Sequence, residues 1–282
     1  MKKIIVPTDF SNNAYNAIEY AVKLFKDEEC AFYLLHTYTP AVYQPEYTLG
    51  HPGQIGLGDE YQANALMQLE ELRATLTTQF NNPKHLFVPH AAFNSLVDEV
   101  LKIVENEKAD LVIMGTQGAT GAKEILLGTH TVHLIKKATC PVIAVPSAFE
   151  YEIPKEILFP TDYEVDYEKE QLQQLLHIAQ KHISSIEVMH VSSGYDLTNE
   201  QLENKQKLNY LFAKTAHLFH DLPSQGIIDA INNFQLKKRM NLLVMIRNKH
   251  TFFERLFIEP VIKKIGFHIT IPFMVIPYST NS

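Results

Sequence analysis

The chain has 282 residues, 46% hydrophobic and 20% charged, the balance of a soluble globular protein with room for two domains of ordinary size. A formal net charge of −7 argues against a surface built for nucleic acid, which needs a basic patch to release counterions; the short run LKKRM (236–240) reads as a solvated helix end. No stretch approaches the ~18 apolar residues of a membrane span, and the opening MKKIIVPTDF is too short an apolar run for a signal peptide, so a cytoplasmic protein without membrane or nucleic-acid partners is expected.

In chain order, KIIVP (3–7) reads as a strand, 11–26 as a helix and 31–37 as a second strand. The Pro- and Gly-rich stretch 39–60 reads as a long loop, after which 60–80 has the apolar spacing of a helix. A strand over 84–89, a helix over 94–107, a strand over 110–114, a glycine loop, a helix over 129–138 and a strand over 141–146 follow. The strands are unalternating runs of Ile, Val, Leu and Phe, as expected where helices cover both faces, and their alternation with helices means a doubly wound parallel sheet. Cys30 and Cys140 lie far apart, without metal-ligand spacing, and read as two buried thiols.

The second part of the chain repeats the first. KIIVPTDF (3–10) returns as EILFPTDY (156–163), FYLLHTYTP (32–40) as IEVMHVSSG (186–194), ADLVIMG (109–115) as MNLLVMI (240–246), and CPVIAVP (140–146) as IPFMVIP (271–277). The second copy is shorter in its middle by about twenty residues, a deficit that matches the loop at 39–60. Two units follow, 1–147 and 154–282, with 147–155 as the hinge. The expected fold class is α/β, two tandem doubly wound domains, each a five-stranded parallel sheet. Their last strands, 141–146 and 272–276, are the natural edges for joining the copies as a pseudo-dimer, and the apolar positions of 172–180 read as core packing.

The loop MGTQGATGAKEILLGTH (114–130) follows the fourth strand, at the sheet end where ligands gather in open parallel sheets. Gly115 and Gly118 would let amides turn toward a ligand. Gly128 and Thr129 open the next helix, whose free N–H groups favour an anion, with Thr129 read as the N-cap. The spacing fits neither G-x-G-x-x-G nor a P-loop. From spacing alone, a surface loop that binds nothing stands beside a phosphate cradle.

G-x2-G-x9-G-[ST], here Gly115, Gly118, Gly128 and Thr129, stands with VPTDFS after the first strand, LLHTYTP after the second and CPVIAVP as the last. Together these resemble the universal stress protein family, in a tandem form. The resemblance implies adenine nucleotide binding: ATP, with ADP and AMP as alternatives, and Mg as an accompanying ion. It implies Pro7, Thr8 and Asp9 on the ribose and adenine side and Thr37 at the adenine edge. Met114, Gly115, Thr116, Gln117, Gly118 and Gly121, then Gly128, Thr129, His130 and Thr131, would wrap the ribose and phosphates. Lys123 would reach a phosphate or stand as a solvated lysine on a turn. Here the chain departs from the family at Gln117, at His130 and at HAAFNS (90–95) after the third strand.

In the second copy Ile246, Lys249, Glu259 and Pro260 replace Gly115, Gly118, Gly128 and Thr129, while Pro160, Thr161 and Asp162 persist. One nucleotide per chain, in the first copy, is therefore expected, and in the second the PTD triplet has a structural role. No paired carboxylates and no Ser/His/Asp arrangement can be assembled, and His36, repeated as His190, reads as a hydrogen-bonding residue. Dedicated catalysis is not indicated. The expectation is an ATP-binding stress or regulatory protein acting as a switch or scaffold, with a homodimer as a further option. A slow ATPase or phosphate-transfer enzyme and a nucleotide-free interaction module are the alternatives.

Overall fold

The computed structural model describes residues 1–38, 57–116, 128–192, 194–247 and 270–278, with 57–59 as backbone only. Its first half contains β1 (Lys2–Pro7), α1 (Asn12–Leu24), β2 (Cys30–Thr37), α2 (Leu57–Phe80), β3 (His85–Ala92), α3 (Leu96–Glu107), β4 (Leu111–Gly115), α4 (Thr129–Lys137) and β5 (Val142–Val145). The second half contains β6 (Glu156–Pro160), α5 (Lys169–His182), β7 (Ser185–Val191), α6 (Asn199–Leu211), β8 (Ala216–Leu222), α7 (Ile227–Lys237), β9 (Leu242–Arg247) and β10 (Phe273–Pro277). The helix expected from 60 starts at Leu57, because the pattern of apolar spacing marks a buried stripe and not the first turn.

The strands form one ten-stranded sheet in the order β3-β2-β1-β4-β5-β10-β9-β6-β7-β8. Within each half every pairing is parallel. The halves meet where β10 pairs antiparallel with β5, Phe273 opposite Ala144 and Val275 opposite Val142. Two tandem five-stranded parallel sheets, each doubly wound, are thereby joined edge to edge. Each half thus hides the edge that the other would leave open. The antiparallel seam also sets the C-terminal strand ends of one half beside the N-terminal ends of the other.

Helices cover both faces, which is why the strands read as continuous apolar runs. One core layer runs from Ile4, Val6 and Phe32 through Ile143 to Phe159, Val188 and Met274. The other holds Ile5, Val112, Val142, Leu243 and Phe273. α5 buries Leu172, Leu175, Leu176, Ile178 and Ala179, so the apolar positions over 172–180 do pack a core. Cys30 and Cys140 are both buried free thiols.

The segment after β5 is pinned to the first half. Asn16 Nδ2 donates to the carbonyls of Pro146 and Phe149 at 3.0 and 3.1 Å, and Tyr20, fully buried, takes Phe149 and Tyr151 edge-on. The run LKKRM closes α7 with Leu236, Lys237 and Arg239 exposed, a solvated helix end as its composition suggests. Lys238 lies 2.8 Å from Glu156 and 2.7 Å from the buried Glu187, and Met240 is in the core.

Candidate functional site

In the first half β1 leads through α1 to β2 on one side, while α3 carries the chain back to β4 on the other, so the winding reverses between β1 and β4. The crevice beyond the carboxyl ends of two such strands is where doubly wound sheets take ligands. Pro7, Thr8 and Asp9 stand at the end of β1, and Met114, Gly115 and Thr116 at the end of its neighbour β4.

Thr8 is buried; its N–H donates to Leu35 O at 2.8 Å and its Oγ1 accepts from Phe10 N at 3.0 Å. Asp9 is exposed, and its Oδ1 accepts from Ser11 N at 3.1 Å and Ser11 Oγ at 2.5 Å. Ser11 then caps α1 by accepting from Ala14 N. Phe10 is held at φ 61°, the left-handed region, and its ring packs 4.7 Å from His36. His36 in turn donates from Nδ1 to Thr8 O at 2.8 Å, a structural role. Thr37 ends β2 one strand further out, opposite Ala92.

Across the crevice Thr116 is buried, donates to Val145 O at 3.0 Å and accepts from Gly128 N at 2.5 Å. Thr131, also buried, donates from Oγ1 to Gly115 O at 3.1 Å. These two bonds fasten the start of α4 to the end of β4. The N-cap of α4 is Gly128 and not Thr129, which is the first helical residue: Gly128 has φ −59° and ψ 154° and brings no side chain of its own to cap the helix. A glycine cap supplies no side-chain oxygen to the first amides of the helix, and Thr129 and His130 are exposed there. Gln117, Gly118, Gly121 and Lys123 lie outside the described residues, as do Lys249, Glu259 and Pro260 of the second copy.

Gly115 has a reason its spacing did not reveal. A Cβ on it would fall 2.4 Å from Asn13 Nδ2, so the missing side chain makes room for the amide of α1. Asn94 after β3 and His90 near the end of β3 both bond the buried Glu99, at 2.9 Å each, and Ser95 caps α3, which accounts for HAAFNS in structural terms. Among the described residues no group of three or more His, Cys, Asp or Glu could hold a metal, and no helix is long and apolar enough to cross a membrane.

The model of the universal stress protein family matches residues 1–146, the whole span that builds this crevice. The chain belongs to the universal stress protein family. Two universal stress proteins of Methanocaldococcus jannaschii are similar to it. One is 33% identical over 161 residues, spanning 51% of this chain and 94% of the relative; the other is 30% identical over 146 residues, spanning 51% and 81%. A universal stress protein from Archaeoglobus fulgidus matches over 98% of both chains with a TM-score of 0.70 at 17% identity, a likeness of fold alone.

The second half repeats the universal stress protein turn almost bond for bond. Thr161 N donates to Met189 O at 2.8 Å, Thr161 Oγ1 accepts from Tyr163 N at 3.0 Å, and Asp162 Oδ1 accepts from Glu164 N at 3.1 Å. Tyr163 has φ 60°, and its ring lies 5.1 Å from His190. What differs is the cover. α5 starts seven residues after Asp162, whereas α1 starts three after Asp9, and the extra residues bury Tyr163, Val165 and Tyr167. From α6, Gln201 Nε2 donates to Asp162 O and Asn204 Nδ2 to Tyr163 O, both at 2.9 Å, and Lys205 sits over the rings of Tyr163 and Phe219. Asn204 and the buried tyrosines carry no motif, so only tertiary contacts bring them to light.

Proposed function

We propose that this chain binds an adenine nucleotide, ATP in the first instance, in the crevice between β1 and β4 and nowhere else. The observation that carries this reading is the start of α4. A helix N-terminus with a glycine cap, tied by Gly128 and Thr131 to the end of β4, lies at the reversal point of the sheet. Thr129, His130 and the amides of the first turn would take the phosphates, and Asp9, exposed at the facing strand end, would take a ribose hydroxyl. Gln117, Gly118, Gly121 and Lys123 would complete the phosphate side, with Mg as counterion. Thr8 is buried and bonded, so it shapes the crevice from below.

The single site rests on the contrast between the halves. In the second, Gln201, Asn204 and the aromatic rings lie over the turn that Asp9 leaves exposed. We divide the chain accordingly into a nucleotide-binding unit over 1–147 and a companion unit over 154–282. The two act as an intramolecular pseudo-dimer through β5 and β10, and the ligand serves as a switch in a cytoplasmic stress response. Such a switch works only as far as ATP binds one arrangement more tightly than another.

Mass spectrometry of nucleotide retained by the freshly purified full chain, followed by calorimetric titration with ATP, ADP and AMP, tests this. One equivalent of adenine nucleotide without phosphate release is expected. Phosphate release that disappears with Asp9→Ala would indicate a slow ATPase, and the absence of any binding would leave an interaction module.

A further inference from the structure

We infer that Arg247, from the second half, is a positioning residue for the nucleotide site: it holds the C-terminal end of α4 so that the N-terminal amides of that helix stay aimed into the crevice. This rests on the nucleotide reading above.

α4 is a helix of nine residues, shorter than the ~12–15 that hold together alone in water, so its position depends on tertiary contacts. Its buried side, Thr131, Leu134 and Ile135, fixes it sideways against the sheet. Its ends are another matter. The last turn of any helix leaves carbonyls without partners, and here Leu134 O is met by Ala138 N at 2.8 Å. Ile135 O and Ala138 O are met by the guanidinium of Arg247, Nη1 at 2.5 Å and Nη2 at 3.1 Å. Lys136 and Lys137 in the same turn face solvent. A cation at a helix C-terminus also complements the dipole whose positive end meets the anion.

Arg247 is separated from these carbonyls by 112 and 109 residues, and its own backbone is fixed in the other half-sheet, opposite Pro277 and bonded to Tyr278 N. It occupies the position in the repeat that Thr116 holds in the first copy, at the end of the strand facing the PTD turn. There Thr116 fastens the start of α4, while Arg247 reaches over the seam to fasten its end. The helix is short, about 13 Å long at 1.5 Å per residue, and fastened at both ends. A shift of β9 and β10 against β5 is therefore delivered to its phosphate end. By linkage, nucleotide bound at that end must steady Arg247 in return.

The test uses the full chain with Arg247→Met, which keeps the apolar stem and removes the donors, and Arg247→Lys, which restores one cation. Hydrogen exchange of 129–138 without nucleotide should quicken about tenfold in Arg247→Met and recover in part in Arg247→Lys, with β1 and β2 unchanged. ATP affinity should fall in the same order, by about tenfold in Arg247→Met. Unchanged exchange in α4 overturns the inference, as does faster exchange with unaltered ATP affinity. A wild-type chain with no affinity for ATP sinks the nucleotide reading instead, and that result appears before any substitution is made. Melting curves of both variants show whether the fold is intact, and Arg247→Lys keeps the comparison open if Arg247→Met unfolds.

Discussion

Gly115 stands hard against Asn13: a Cβ on the glycine would lie 2.4 Å from Asn13 Nδ2, 2.7 Å from Cγ and 2.9 Å from Oδ1. The amide of α1 thus occupies the space that a side chain at the end of β4 would need. Gly115→Ala should cost about 1–3 kcal/mol by overpacking. Asn13→Ala removes the three clashing atoms, so the double variant should recover most of that loss. Urea denaturation of the four chains gives the coupling, expected at 1 kcal/mol or more, about what touching residues show. Simple additivity would mean that the amide swings aside and that the close approach is incidental.

Asp9 and Asp162 make the same turn, each accepting from the backbone two residues on at 3.1 Å. That duplication supplies its own control. Asp9→Ala and Asp162→Ala should each lose about 1 kcal/mol of stability, the ordinary worth of such a bond. If Asp9 also holds a ribose, only Asp9→Ala should weaken ATP binding, by about tenfold for one charge-assisted hydrogen bond. Equal effects of the two substitutions on ATP affinity would remove Asp9 from the ligand contacts.

The strands were legible because runs such as IIV and LVIM are buried on both faces, and the repeat was legible because the two half-sheets bury the same positions. The N-cap of α4 was misassigned by one residue, since Gly128 and Thr129 are both acceptable caps and only the dihedrals decide. The ion pair of Lys238 could not be read from the sequence because its carboxylate partner Glu187 lies 51 residues earlier, on a strand. Asn13 and Arg247 were illegible for the same reason: each acts on a group about a hundred residues away, and no local pattern marks such a pairing. What periodicity and spacing record is which face of an element is buried, not which neighbour lies there.

Cys30 and Cys140 are buried, and burial first of all, with Glu28 adding to it at Cys30, pushes both thiols up to about 12. The attacking species in disulfide exchange is the thiolate. In native protein at pH 8, reaction with an aromatic disulfide should therefore be slower by at least about a hundredfold than for a free cysteine. Two equivalents should appear at once in denaturant. A fast native phase of one equivalent would show that one thiol opens to solvent.

Glu187, on β7 in the second half, is a buried carboxylate. Its side chain is 1% exposed, with His220 Nε2 at 2.5 Å, Lys238 Nζ at 2.7 Å and Ser185 Oγ at 3.0 Å. Burial alone would push its carboxyl up, but the hydrogen bonds from Lys238, His220 and Ser185 outweigh it and hold the group below its ordinary value of 4.5. A depressed carboxyl brings stability that is complete above that ordinary value and drains away as the pH falls through the lower folded one. Glu99 in the first half is held down in the same way, by Asn94, His90 and Lys102 against its own burial. Glu187→Gln should cost about 3 kcal/mol near neutral pH, because Lys238 and His220 lose a buried partner. The gap to the wild type should close progressively below pH 4.5, where the native carboxylate takes up its proton. Urea midpoints collected from pH 3 to 7 read both effects. Parallel curves for the two chains over that range would place the acid sensitivity elsewhere and leave Glu187 as packing alone.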